Sequence, residues 1–277
     1  MINENKARMR GLLIDLDGTL YHGNIRIEGA DRLVNALRAA GLPFRFVTNN
    51  STAAPETVAA RLNGMGVEAL PSEVCTSAQA SAEYISKEKP GASVFVVGEA
   101  GLRQAVREAG LRLTEEKPDY VLQGIDRELT YARIASAVRY IREGASYVMT
   151  NPDLLLPSEG GLLPGAGTIG AMLRAATGRE PVVIGKPSPV LMNFALEQLG
   201  LRAEETWVVG DNMATDIAAG IAAGCGTALV LTGLTTKDNY ERYAKEAGCE
   251  PDLVCHDLDE LQSYIMAYIE SMKQRKE

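Results

Sequence analysis

Short apolar runs alternate with amphipathic helical stretches from one end of the chain to the other, and this alternation restricts the fold more than any other feature. The runs predict strands over Leu12–Asp15, Phe44–Thr48, Ser93–Val97, Tyr120–Leu122, Ser146–Met149, Val182–Ile184, Thr206–Val209 and Ala228–Leu231. They are apolar throughout rather than at every second residue, as strands covered on both faces are. Between them, helical periodicity predicts helices over Asp31–Ala40, Glu56–Leu62, Thr130–Ile141, Pro189–Leu199 and Leu258–Met272. In the first of these Leu33, Val34, Leu37 and Ala40 share a face, and Gly41 is placed to end the helix. Such alternation belongs to parallel sheets covered by helices, so the class is α/β. A chain of 277 residues is long enough for one large domain or two ordinary ones.

Four polar clusters follow strand candidates: Asp15–Thr19 (DLDGT), Thr48–Thr52 (TNNST), Gly185–Pro189 (GKPSP) and Gly210–Asp216 (GDNMATD). Ligands of open α/β sheets bind beyond the carboxyl ends of the strands, so the four clusters are expected at one edge of one sheet. Residues from about 79 to 181 supply no such cluster before Asn151. They are expected to form a second α/β unit, inserted between the halves 1–78 and 182–277 of the first.

The clusters differ in chemistry. Asp15 and Asp17 alternate at the end of a strand and can face one site, while Gly18 lets the backbone turn sharply. Two carboxylates this close repel one another unless a cation lies between them. A divalent metal would free one as a nucleophile and the other as an acid or base. Thr48, Asn49, Asn50 and Ser51 offer hydroxyl and amide donors suited to phosphate oxygens, and they also suit plain helix capping. Lys186 could neutralise a transferring phosphoryl group. Its loop is not a Walker A motif, because Pro187 stands where Ser or Thr is needed. Asp211, at a strand end, could complete a metal's oxygen shell of the kind Mg²⁺ prefers. Asp216, in the first turn of the next helix, suits a place behind the metal ligands or a capping role equally.

Composition closes other routes. The net charge of −8 and the lack of a basic stripe argue against a nucleic acid polymer as partner. The one basic cluster, Lys273, Arg275 and Lys276, ends a helical pattern, where cations complement the helix dipole. No apolar run approaches a membrane span, and the start MINENKARMR lacks a signal-peptide core, so a cytoplasmic location without membrane contact is expected. The four cysteines show no disulfide or CxxC spacing. His22 falls in a predicted hairpin over Leu20–Ile27, as part of an exposed flap, and neither it nor His256 has a Ser or Cys motif beside it. Gly165–Gly170 matches G-x-G-x-x-G, but no convincing strand precedes it and no acidic residue follows about twenty positions on. Those glycines are expected in a loop leading to a helix near Ile169–Ala176.

The four clusters, in this order, resemble the motifs of the haloacid dehalogenase-like hydrolases. TNNST, ATGREPVVIGKPSP and GDNMATDI resemble in particular subfamily IIA, the branch of p-nitrophenyl, N-acetylglucosamine-operon, phosphoglycolate and pyridoxal phosphate phosphatases. Thr150–Asp153 followed by PGAGTI is similar to that branch's cap. The resemblance implies a Rossmann-like parallel-sheet core with an inserted α/β cap, and Mg²⁺-dependent hydrolysis of small-molecule phosphate monoesters. By motif, it makes Asp15 the nucleophile and Asp17 the general acid/base, through an aspartyl-phosphate. Asp15, the Asp17 carbonyl and Asp211 would hold Mg²⁺; Thr48, Asn49, Asn50 and Lys186 would bind the phosphoryl group. The cap loop with Asn151, Asp153 and Leu156 would face the substrate. Some phosphatases of the branch carry a histidine near the position of Leu156. Cap-mediated homodimers occur among similar proteins. The competing readings are a receiver-like module or a phosphate-binding protein with little turnover.

Overall fold

The computed structural model describes residues 8–158 and 161–274. Arg275 and Lys276 of the terminal basic cluster lie outside the described residues, as does most of the polar start. The chain divides into two compact units. The first comprises Met1–Val47, Ala59–Val74 and Ala195–Glu277, the second Thr48–Val58 and Cys75–Phe194.

A six-stranded sheet has the order Leu253–Cys255, Gly226–Val230, Thr206–Gly210, Gly11–Asp15, Phe44–Thr48, Val74–Thr76. The pairings from Leu253–Cys255 across to Phe44–Thr48 are parallel. Gly11–Asp15 is buried along its whole length, which explains its apolar run up to Asp15. From this strand the chain builds outward on one side, then returns to build Thr206–Gly210 and its successors on the other. Strand order therefore reverses between Gly11–Asp15 and Thr206–Gly210, the place where a doubly wound sheet opens a crevice. Asp15 ends one of these strands and Asp211 follows the other.

The second unit holds a five-stranded sheet in the order Val182–Val183, Ser146–Met149, Tyr120–Gln123, Ser93–Val97, Arg112–Leu113, all parallel. Phe95, Val121, Tyr140, Tyr147, Ile169 and Leu173 are among the residues of its core. Phe95 and Tyr140 meet edge to face with ring centroids 5.1 Å apart.

Two expectations need correcting. The four clusters do not all follow strands of one sheet: Val182 and Val183 pair with Val148 and Met149, so Lys186 follows a strand of the five-stranded sheet. Two β-branched residues on so short a strand carry no mark of which sheet they join. The glycines of Gly165–Gly170 do not form a loop, because the helix Ala166–Thr177 begins among them. A methyl group at Gly167 would overlap the Pro152 carbonyl, so this glycine lets the helix start lie directly on the 152–153 backbone. The helix Ser77–Glu88 runs through position 79. Its capping box was present in the sequence: Thr76 accepts from the Gln79 amide, and the Gln79 side chain accepts from the Thr76 amide.

Candidate active site

The first unit gathers the acidic residues. Leu16–Tyr21 forms a tight turn in which the Gly18 amide donates to the Tyr21 carbonyl at 2.8 Å and the Leu20 amide to the Leu16 carbonyl at 2.8 Å. Gly18 has φ +90°, and a methyl group there would overlap the Asp211 carboxylate. Glycine is thus required twice over, for the turn and for the approach of Asp211. Gly233 closes on Asp211 from another direction and is equally intolerant of a side chain. Next to it the Leu234 amide donates to Asp211 Oδ2 at 2.6 Å, and the Thr235 amide to the Asp211 carbonyl at 3.1 Å. Thr232 ties the same loop to the Gly18 carbonyl at 2.9 Å.

Asp15, Asp211 and Asp216 each present a carboxylate oxygen within 4.8 Å of the others. All three are buried. The fully buried Thr19 hydroxyl lies 3.3 Å from Asp15 Oδ2 and 3.4 Å from Asp211 Oδ1. Asp216 Oδ2 accepts from the Asn212 amide at 3.1 Å, within a π-helical turn over Met213–Ile217. Three carboxylates converging in this way are hard oxygen donors in mutual repulsion, a set that suits a small divalent cation. Sequence reasoning left Asp216 between two roles; the fold brings its carboxylate into the group itself. Thr19 was visible in the DLDGT cluster but had no role there. Gly233 and Leu234 carried no signal, because a main-chain donor can come from any residue type.

The Asp17 side chain is not a member of that group. It is exposed. Protein atoms around the carboxyl nevertheless desolvate it and raise its pKa, against the opposing pull of Arg61, His22 and the Gly23 amide. Tyr21–His22 and Ile25–Arg26 form the expected hairpin. His22 Nε2 bonds the Thr232 carbonyl at 2.7 Å, and the Arg61 guanidinium lies 4.6 Å from the centre of the Tyr21 ring while bonding the Gly23 carbonyl.

The second unit gathers the neutral donors and the lysine. The Thr48 hydroxyl accepts from the Asn50 amide at 3.1 Å. Asn50 Oδ1 accepts from the Thr52 amide at 2.7 Å, the Thr52 hydroxyl at 3.0 Å and the Ala53 amide at 3.2 Å, a side-chain-closed turn that ends before the helix Pro55–Gly64 begins. Asn49 Nδ2 donates to Asp153 Oδ2 and to the Lys186 carbonyl, both at 3.1 Å. Asn49 Oδ1 accepts from the Lys186 amide at 2.8 Å. Its main-chain carbonyl accepts from Ser77 Oγ at 2.6 Å and from Asn151 Nδ2 at 2.9 Å. Lys186 and Asn151 are buried, whereas Leu156 is half-buried on the hairpin Leu155–Ser158/Gly161–Pro164.

Comparison with known proteins agrees with this geometry. Residues 12–112 match the haloacid dehalogenase-like hydrolase model, and residues 183–261 a HAD-hydrolase-like model. The chain is 46% identical over 230 residues to the 5′-nucleotidase YutF of Bacillus subtilis, covering 83% of this chain and 90% of that one. It is 46% identical over 233 residues to the acid sugar phosphatase of Staphylococcus aureus, covering 84% and 90%. Among solved structures, the p-nitrophenyl phosphatase from Archaeoglobus fulgidus superposes with a TM-score of 0.89 at 38% identity, over 93% of this chain and 99% of that one. The chain belongs to the haloacid dehalogenase-like hydrolases, within their subfamily IIA of phosphoric monoester hydrolases. No helix among the described residues is long and apolar enough to cross a membrane.

Proposed function

We propose that this chain is a Mg²⁺-dependent phosphatase of small-molecule phosphate monoesters that works through an aspartyl-phosphate on Asp15. The observation that carries the reading is the buried convergence of Asp15, Asp211 and Asp216 at the point where strand order reverses. Asp15, Asp211 and the Asp17 main-chain carbonyl would hold the metal, with Asp216 as a further oxygen donor. Bound there, Mg²⁺ supplies positive charge that offsets the developing charge on the phosphoryl oxygens.

The rest falls to the chain's own residues. An Asp15 oxygen attacks phosphorus as the bond to the leaving oxygen breaks, and Asp17 gives its proton to that leaving group. The raised Asp17 pKa is the right direction for a donor that must enter this step protonated. Asp17, now a carboxylate, then takes a proton from water as the water attacks phosphorus. The bond to Asp15 breaks, orthophosphate leaves, and both aspartates return to their starting states. Thr48 accepts from the Asn50 amide, which leaves its hydroxyl proton to donate to a phosphoryl oxygen. The Asn50 oxygen is spent on the turn, so its part falls to the Nδ2 donors, and Lys186 compensates charge in the transfer. Asn151 and Leu156 belong to the segment proposed to meet the leaving group. The relatives named for a nucleotide and for a sugar phosphate differ in that group and share the phosphoryl chemistry. Three of the four thiols are buried and none is in a disulfide, in keeping with a proposed place in the reducing cytoplasm.

The test is rapid-quench labelling with p-nitrophenyl phosphate, followed by mass mapping of the phosphorylated peptide. Label should appear on Asp15 in the wild type, be absent from Asp15→Asn, and vanish in excess chelator until Mg²⁺ is restored. Label on Asp17, full turnover in chelator, or a burst without turnover would each overturn the reading.

A further inference from the structure

The Asn49 side chain makes three hydrogen bonds, and none of its amide hydrogens is left for a substrate. Both Nδ2 donors are committed, to Asp153 Oδ2 and to the Lys186 carbonyl, while Oδ1 accepts the Lys186 amide. The carboxamide therefore pairs with both polar groups of the Lys186 main chain and holds that residue as a neighbouring strand would. Its own carbonyl is gripped in turn by Ser77 and Asn151. We infer that Asn49 is a positioning residue: its side chain fixes Lys186, and through Asp153 it ties the phosphoryl-binding residues to the 151–153 loop. Expecting its side chain to bind phosphate gives Asn49 a task for which it has no donors.

The physical reason is charge placement. Lys186 is buried, and its long stem has many rotamers to lose. An ammonium acts on a transferring phosphoryl group only when held in place, and a misplacement of about 1 Å can cost roughly 10²-fold in rate. Fastening the Lys186 main chain on both its N–H and its C=O removes the freedom that would blur that placement. Asp153 then orients the Asn49 amide, so that it acts on phosphate binding through Asn49 rather than by sorting leaving groups.

This inference rests on the phosphoryl-binding role proposed for Lys186, and its test separates the two. Two readouts are taken on Asn49→Ala, Lys186→Ala and the double variant: binding of inorganic phosphate by calorimetry, and kcat and KM for p-nitrophenyl phosphate. Asn49→Ala should weaken phosphate binding and lower kcat by about 10²-fold, and the double variant should be no worse than Lys186→Ala alone, because residues acting as one unit are not additive. A residue that only supported the fold would multiply the loss of Lys186→Ala. Asn49→Asp should be worse than Asn49→Ala, since it faces the Asp153 carboxylate across a former hydrogen bond. Exchanging the pair, Asn49→Asp with Asp153→Asn, should recover part of the loss by restoring a donor–acceptor match. Multiplying losses in the double variant, or wild-type phosphate binding in Asn49→Ala, would overturn the inference. A non-additive cycle in phosphate binding from a wild type that never turns over would uphold the bracket and overturn the phosphatase reading instead.

Discussion

The two units solve opposite electrostatic problems. The first must hold three like charges together, and it does so with main chain: the Asn212 and Leu234 amides on Asp216 and Asp211, and glycines at 18 and 233 where any side chain would collide with Asp211. The second must hold one buried cation and a row of neutral donors, and it does so with side chains, through Asn49, Asn50, Asn151 and Ser77. Anions accept hydrogen bonds, and backbone amides are the densest rigid donors a chain can offer. A lysine has only donors, so its position has to be set through its own backbone, and a carboxamide can pair with both groups of a peptide at once. The acidic half is thus sensitive to added volume, the neutral half to lost hydrogen bonds.

The largest effect that sharpens this contrast concerns Asp17, whose side chain stands outside the acidic group. Asp17→Asn removes the proton donor and later base while leaving Asp15 and its neighbours in place. Turnover of an alkyl phosphate should fall by about 10²–10⁴-fold. With p-nitrophenyl phosphate, whose leaving group scarcely needs a proton, label should still accumulate on Asp15 and then decay slowly. Equal losses on both substrates would show that Asp17 works by holding the site rather than by moving protons.

A middle-sized effect comes from matched glycine substitutions. Gly233→Ala should displace the Asp211 carboxylate and reduce kcat by roughly 10²-fold, with a higher Mg²⁺ requirement. Gly167→Ala, which collides with the Pro152 carbonyl instead, should lower the thermal midpoint and leave the Mg²⁺ requirement alone. If Gly167→Ala moved the metal titration as far as Gly233→Ala, the division of labour between the units would fail.

The smallest effect is on selectivity. Leu156→Ala, measured on a panel of phosphate monoesters, should change relative kcat/KM values by about tenfold, the worth of a modest apolar contact, with little change in the rate on p-nitrophenyl phosphate. An unchanged rank order would place leaving-group recognition elsewhere in the segment.

Much of this was legible in the residues themselves. Asp15–Thr19 and Gly210–Asp216 stood out because a carboxylate closing a buried strand is costly unless it has a task, and both strands formed where the apolar runs predicted. The Gly41 cap, with φ 65° and its amide on the Arg38 and Leu37 carbonyls, was equally readable. The helix Ser77–Glu88 escaped notice although Thr76 and Gln79 announce it, because its face is mostly Ala and Ser and shows no apolar stripe. Gly165–Gly170 misled in the other direction, since a spacing of glycines shows that backbone must come close without showing to what.

Local chemistry, then, was set by sequence alone: which strands are buried, where turns fall, which residues can carry charge or a proton. Periodicity and residue type act within a few positions of the chain, so they can be read there. Tertiary structure alone decided that Val182–Val183 joins the five-stranded sheet, that Asp216 stands with Asp15 and Asp211, and that Asn49 grips Lys186 across 137 positions. Those outcomes depend on which hydrogen-bonding partners the folded chain brings within about 3 Å, and no local pattern encodes a distance between residues so far apart in sequence.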